Sequence, residues 1–244
     1  MSAIPDRLPA TTPLPASRGL RWCLDGLRLW RRVPLRLFLL CFAQLLAETL
    51  LQLIPWVGVT LSKLVVPVLL MGILLGLDEQ ARGGRMRWAC LLDGLRRRPF
   101  APVLALAASW GLGVFAVQQG VAWLAYGWPA VDAVWLGHAM AHRALMTPTF
   151  ERVLLVPGVV PSILLMLAPC LCLFDGRSPW RAVCGSVRAA WRHAAPFGVF
   201  LLMNLAVFLL VLAKPWTFVL VLFLTPWSMA CTYAIWRDLR RTEG

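Results

Sequence analysis

Three polar residues, Gln44, Glu48 and Gln52, recur at i, i+4 and i+8 inside an otherwise apolar run. That spacing lines all three along one face of a helix. A carboxylate in such a setting is costly in lipid and calls for a named partner. Lys63 is the partner on offer. It stands in the next apolar run, past a Pro55-Trp56 turn, at nearly the same helical distance from that turn as Glu48. Two antiparallel helices would bring the charges together. Two kinds of chemistry fit such a pair: a structural lock on the hairpin with the lysine reaching toward the interface, or a translocation or proton-relay centre.

A second set lies in segment 129–150. His138 and His142 are four apart, with Asp132 and Glu151 nearby. On a helix they would share a face with Val134 and Trp135, and two imidazoles at that spacing can ligate a metal. A site needs a third ligand, however, and no H-E-x-x-H occurs. An interfacial helix with its imidazoles at headgroup level is the competing reading. Seven cysteines show neither C-x-x-C nor zinc spacing, so packing outweighs disulfide or redox roles. G-x-S-x-G, Walker and dinucleotide-binding signatures are all missing. The expectation is a chain without enzymatic activity and without a cofactor.

Elements that could position these residues follow from composition. Of the 244 residues 60% are hydrophobic and only 14% charged, and the mean hydropathy is +0.73. Soluble domains carry about 25% charged residues, so the solvent here is lipid. Apolar runs at 35–54, 57–77, 101–126, 153–174, 197–213 and 216–236 predict six transmembrane helices. The fourth carries Pro157, Pro161 and Pro169 and should kink. Residues 1–17 are polar and proline-rich, which predicts a disordered cytoplasmic tail ahead of a membrane domain over 18–240. Of 13 tryptophans, Trp110, Trp123 and Trp227 are expected inside the bundle, and the others in two interfacial belts.

A net charge of +13 would suit a nucleic acid, but its placement does not. Twenty of the 24 basic residues fall in the N-terminal segment, the 78–100 and 175–196 connections and the C-terminus. That bias predicts both termini in the cytoplasm. Arg28, Arg31, Arg32, Arg96, Arg97, Arg98, Arg188 and Arg192 become candidates for contact with anionic lipid headgroups. No nucleic-acid partner is expected.

The basic segments also repeat. Trp22-Cys-Leu-Asp-Gly-Leu-Arg28, Trp88-Ala-Cys-Leu-Leu-Asp-Gly-Leu-Arg96 and Trp180-Arg-Ala-Val-Cys-Gly-Ser-Val-Arg188 precede spans one, three and five. Pro67, Pro161 and Pro226 sit in the even spans, which close on Asp78, Asp175 and Asp238. The predicted fold is all-α: three pseudo-repeated hairpins, each led by a short interfacial amphipathic helix.

These Trp–Gly–Arg–Pro segments before paired spans, with proline in the returning span and a closing Asp, resemble uncharacterised six-span bacterial inner-membrane proteins. Those in turn are similar to the membrane domain of some glycerophosphodiester phosphodiesterases. The resemblance implies this fold and a bacterial inner membrane. It supplies no active site, because the catalytic phosphodiesterase domain is missing from the chain. The expected role is to organise or assist other membrane or lipid components. A small lipid or amphiphile transporter using Glu48 and Lys63 is the alternative.

Overall fold

The computed structural model describes residues 13–96, 100–213 and 219–243. Most of the expected tail, Arg97, Arg98, Lys214 and Trp216 lie outside the described residues. Those described are helical, with no strand among them. Helix α1 (Ser17–Arg32) leads into α2 (Pro34–Gln52), which opens on a proline at its first turn, where no N–H is needed. Pro55 then ends the run, and α3 (Gly58–Ala81) returns. After α4 (Cys90–Arg96), a third long helix comprises α5 (Phe100–Ala107), a π-helical turn (Ala108–Leu112) and α6 (Gly113–Tyr126).

Short α7 (Trp128–Val134) precedes a fourth span broken by its prolines into α8 (Pro148–Leu155), a 3-10 turn (Val156–Gly158), α9 (Val159–Leu165) and α10 (Ala168–Leu173). Then follow α11 (Pro179–Arg192), α12 (Ala194–Val211) and α13 (Val221–Glu243). Five stretches are long and apolar enough to cross a membrane: Pro34–Gln52, Gly58–Ala81, Ala101–Tyr126, Pro148–Leu173 and Ala194–Val211. The sixth expected span falls in α13, whose last turns are charged by Arg237, Asp238, Arg240 and Arg241.

Hydrogen bonds and ion pairs place the helix ends. The indole N–H of Trp22 (2.8 Å) and the guanidinium of Arg18 (2.6 Å) reach Asp238 at the end of α13. The main-chain N–H of Leu14 donates to Nδ1 of His193, just before α12 (3.3 Å). Tyr233 donates to Asp78 at the end of α3 (2.9 Å), and Arg240 meets Asp175 after α10 (2.9 Å). These groups all gather at one end of the bundle. At the other, the Trp56 N–H bonds Leu136 O (3.0 Å) and the Trp135 indole bonds Thr60 (2.9 Å).

The connecting helices pack on the spans that precede them. Helix α4 lies on α3, α11 on α10 and α9, and α1 closes against α13 and α12. Small residues permit the approach. A Cβ on Gly94 would stand 2.8 Å from Val68 O, and one on Gly26 would collide with Cys231. In α11 the corresponding position, two residues before the arginine, is Ser186. Its buried hydroxyl donates to Leu164 O (2.6 Å) and accepts from Leu167 N–H (3.2 Å). Ser186 thus splints the break between α9 and α10, where Pro169 cannot donate to Leu165 O.

The aromatic belts differ from expectation. Trp22 and Trp236 are buried (1% and 7% exposed), whereas Trp123 is 53% exposed. Trp22 has a polar reason to be inside: its N–H is held by Asp238 while its ring meets Phe197 edge-on at 5.2 Å. Trp88, Trp180 and Trp191 are exposed, so Trp22 is not equivalent to Trp88 and Trp180. Six of the seven cysteines are buried.

Gly26→Ala should therefore destabilise the protein by about 1–3 kcal/mol through overpacking against Cys231. Gly198→Ala, where a Cβ meets open space, should stay within about 0.5 kcal/mol. Thermal unfolding in detergent measures both, and equal shifts would contradict the close α1–α13 contact.

Candidate functional site

Lys63 Nζ lies 2.7 Å from Glu48 Oε1, between antiparallel α2 and α3. The same oxygen accepts from the Gln52 amide (3.2 Å), and Oε2 from that of Gln44 (3.4 Å). The i±4 spacing thus delivers two neutral donors to one carboxylate while the hairpin delivers the cation. Ser62, which sequence reasoning passed over, accepts a second bond from Gln52 (3.4 Å) and donates to Val59 O (2.8 Å). Both charged side chains are about four-fifths buried (23% and 21% exposed). Gln44 is buried, and its amide oxygen has no donor among the described residues.

The third span completes the enclosure. Phe115 places its ring 5.7 Å from Lys63 Nζ, a cation–π contact that also limits access. Pro67 cannot donate to Lys63 O four residues earlier, so that carbonyl loses its helical partner. Gly111 comes directly against it: a Cβ there would collide with Lys63 O. The hydrogen in that direction instead makes a Cα–H···O contact. Gly111 belongs to the π turn, whose extra residue shifts the helix face. Nothing in the hydrophobic period announces that shift, which is why Gly111 and Phe115 were not legible from sequence.

At the opposite end from Asp238, one carboxylate joins both histidines. Asp132 Oδ1 is 2.9 Å from His138 Nδ1, and Oδ2 is 2.7 Å from His142 Nε2. Helix α7 ends at Val134, so the histidines meet through turns and Asp132 and not along a helical face. Since a carboxylate only accepts, both imidazoles donate. Hydrogen bonds from His138, then from His142, hold the Asp132 carboxyl below its usual range. His138 also meets the Trp56 ring edge-on at 4.5 Å. No group of three or more His, Cys, Asp or Glu suited to a metal occurs among the described residues.

Of the candidate lipid contacts, Arg28, Arg31, Arg32, Arg96 and Arg188 are exposed and Arg192 is half-buried. Arg28 also pairs with Asp25 at 2.8 Å. A cavity of about 520 Å³ opens beside Asp78, Glu79, Arg82 and Asp93. Another, of about 240 Å³, lies between Trp110, Gln118, Ser162 and Asn204. Neither is lined by Glu48 or Lys63.

Removing one partner of a buried ion pair strands the other, at a cost of about 3–5 kcal/mol. Glu48→Gln and Lys63→Met should each lower the yield and melting temperature of purified protein more than the double variant does. Additive losses in the double variant would contradict the pairing. In the loop, Asp132→Asn should speed amide exchange over residues 138–145 at neutral pH. Because the folded carboxyl titrates below its ordinary value, its contribution is complete above the usual carboxylate range. It is lost as pH falls through the lowered folded value. Wild-type protection that already collapses between pH 7 and 5 would contradict that sign.

No protein-family model matches the chain, and no solved structure matches it. It is 27% identical over 194 residues to a protein of Burkholderia thailandensis described as a probable inner membrane protein. The match covers 76% of this chain and 71% of that protein. Nothing in these comparisons supports the likeness to phosphodiesterase membrane domains. Apolar helices of spanning length and this relative agree on one point: the chain is similar to a multi-pass inner-membrane protein.

Proposed function

We propose that this is a non-enzymatic, six-span inner-membrane protein that organises or assists other membrane or lipid components through a basic cytoplasmic face. The observation that carries the reading is the gathering of the described connecting helices, with their arginines, at one end of the bundle. Support for the sixth span comes from the same contacts. Helix α12 starts beside Leu14 and α13 ends beside Arg18, so the chain leaves and returns to one end. Twenty-three helical residues rise about 34 Å, enough for the return. A three-hairpin arrangement, with α4 and α11 set on the preceding returning spans and α1 on α13, is supported by the order of elements and the placement of Gly26, Gly94 and Ser186.

Exposed apolar groups share this face with the arginines. Leu20 and Leu24 project from α1 (52% and 53% exposed), and Trp180 and Trp191 from α11 (74% and 72%). An amphipathic helix with such groups beside arginine suits the headgroup region. Each arginine near an anionic surface adds about 1 kcal/mol. The alternative, a transporter centred on Glu48 and Lys63, draws no support from either cavity.

Native mass spectrometry of purified protein tests the lipid contact. Phosphatidylglycerol should be retained over phosphatidylcholine, and the combined Arg28→Gln, Arg31→Gln, Arg32→Gln and Arg188→Gln variant should lose retention by about tenfold or more. Indifference to headgroup charge, or full retention by the variant, would refute the basic-face reading.

A further inference from the structure

The 240 Å³ cavity lies among four helical stretches, between the middle of the bundle and the end away from the arginines. Its lining comes from the third span (Trp110, Gln118), the broken fourth, α12 (Asn204, Phe208) and α13. Polar groups converge there: Gln118, Ser162, Asn204, Ser228 and Thr232. No lining residue is charged. Polar side chains within a membrane are costly unless answered, and here part of the need is met by main chain. Val159 N–H, at the end of the 3-10 turn, bonds Val156 O instead of Leu155 O, and Gln118 donates to Leu155 O at 3.3 Å. Asn204 donates to Phe200 O (2.8 Å), and the Thr232 hydroxyl to Ser228 O (3.0 Å).

Those bonds fix the remaining valence. Both amides spend an N–H on a carbonyl, which leaves their oxygens to accept from elsewhere. Neither amide oxygen receives a donor, and the hydroxyls of Ser162 and Ser228 form no hydrogen bond, among the described residues. The space therefore offers unfilled acceptors in an uncharged setting, bordered by Trp110, Met166, Phe208 and Met229. Its volume equals that of about eight waters, room for a small polar head and its first methylenes.

We propose that this cavity binds the hydroxyl-bearing head of an uncharged glycerolipid, such as diacylglycerol, entering from the bilayer. The free hydroxyl donates its single hydrogen to one of the amide oxygens of Gln118 and Asn204 and accepts from the hydroxyls of Ser162 and Ser228, and the apolar border takes the adjoining chain. A phosphate headgroup is excluded because no cation lines the site to offset its desolvation. The site is separate from the basic face and does not rest on the anionic-lipid reading.

Photocrosslinking tests it. The full chain is reconstituted in phosphatidylethanolamine–phosphatidylglycerol vesicles that contain diacylglycerol with a diazirine near its head. After irradiation, crosslinks should concentrate on peptides carrying Ser162, Asn204 and Ser228. Excess unlabelled diacylglycerol should suppress them about tenfold, and added phosphatidylglycerol should not. Asn204→Leu with Ser228→Leu fills the cavity and should bring a similar loss. Ser162→Ala with Ser228→Ala removes hydroxyls without adding bulk and should reduce labelling several-fold even if the filled variant fails to fold. Crosslinks spread evenly over the lipid-facing helices, competition by any lipid, or full labelling of the alanine variant would overturn the proposal. Retention of phosphatidylglycerol in native spectra is read independently, so either proposal can fail alone.

Discussion

The hydrocarbon of a bilayer supplies no hydrogen-bond donor or acceptor, so a polar group freed inside a span is costly until a neighbour answers it. Much of this bundle's geometry is a set of answers to that requirement. Pro67 leaves Lys63 O without a helical donor, and Gly111 of the third span closes on it. The 3-10 turn in the fourth span shifts a bond away from Leu155 O, and Gln118 reaches across to it. Pro169 breaks the same span, and Ser186 bridges the gap from outside. Glu48 draws Lys63, Gln52 and Gln44 to itself. Each defect in one helix selects the neighbour that must lie beside it.

The connecting helices extend the same logic to the ring of contacts. Helices α4 and α11 rest on the spans before them, and α1 rests on α13 and α12. Asp238 fastens that closure through Arg18 and Trp22. Partly exposed ion pairs contribute no more than about 1 kcal/mol, so the buried Trp22 ring and the glycine contact carry more of the stability there. An acidic residue at the end of each returning segment then has a structural meaning. Asp78 and Asp175 also reach α13, through Tyr233 and Arg240.

What the sequence made legible was periodicity and charge. Apolar runs marked the five helices of spanning length, and the matched depth of Glu48 and Lys63 marked two side chains that the structure brings to 2.7 Å. Partners that depend on a change of helix type were hidden. The π turn brings Gly111 against Lys63 O and Phe115 over Lys63 Nζ, and no residue pattern signals a π turn. Asp132 joins His138 and His142 because α7 stops at Val134, so a helical reading of their spacing gave the right neighbours by the wrong route. Trp22 looked like the other belt tryptophans because composition records the indole and not the aspartate more than 200 residues away that receives its N–H.

The proposed path takes the chain out and back three times from one basic end. Single cysteines at Gly84, Gly137 and Thr242 can be probed in intact and opened membrane vesicles after the native thiols are replaced. Labelling by a membrane-impermeant maleimide should report positions 84 and 242 from the cytoplasmic side and position 137 from the opposite side. Position 242 labelled together with 137, away from 84, would contradict the six-span bundle.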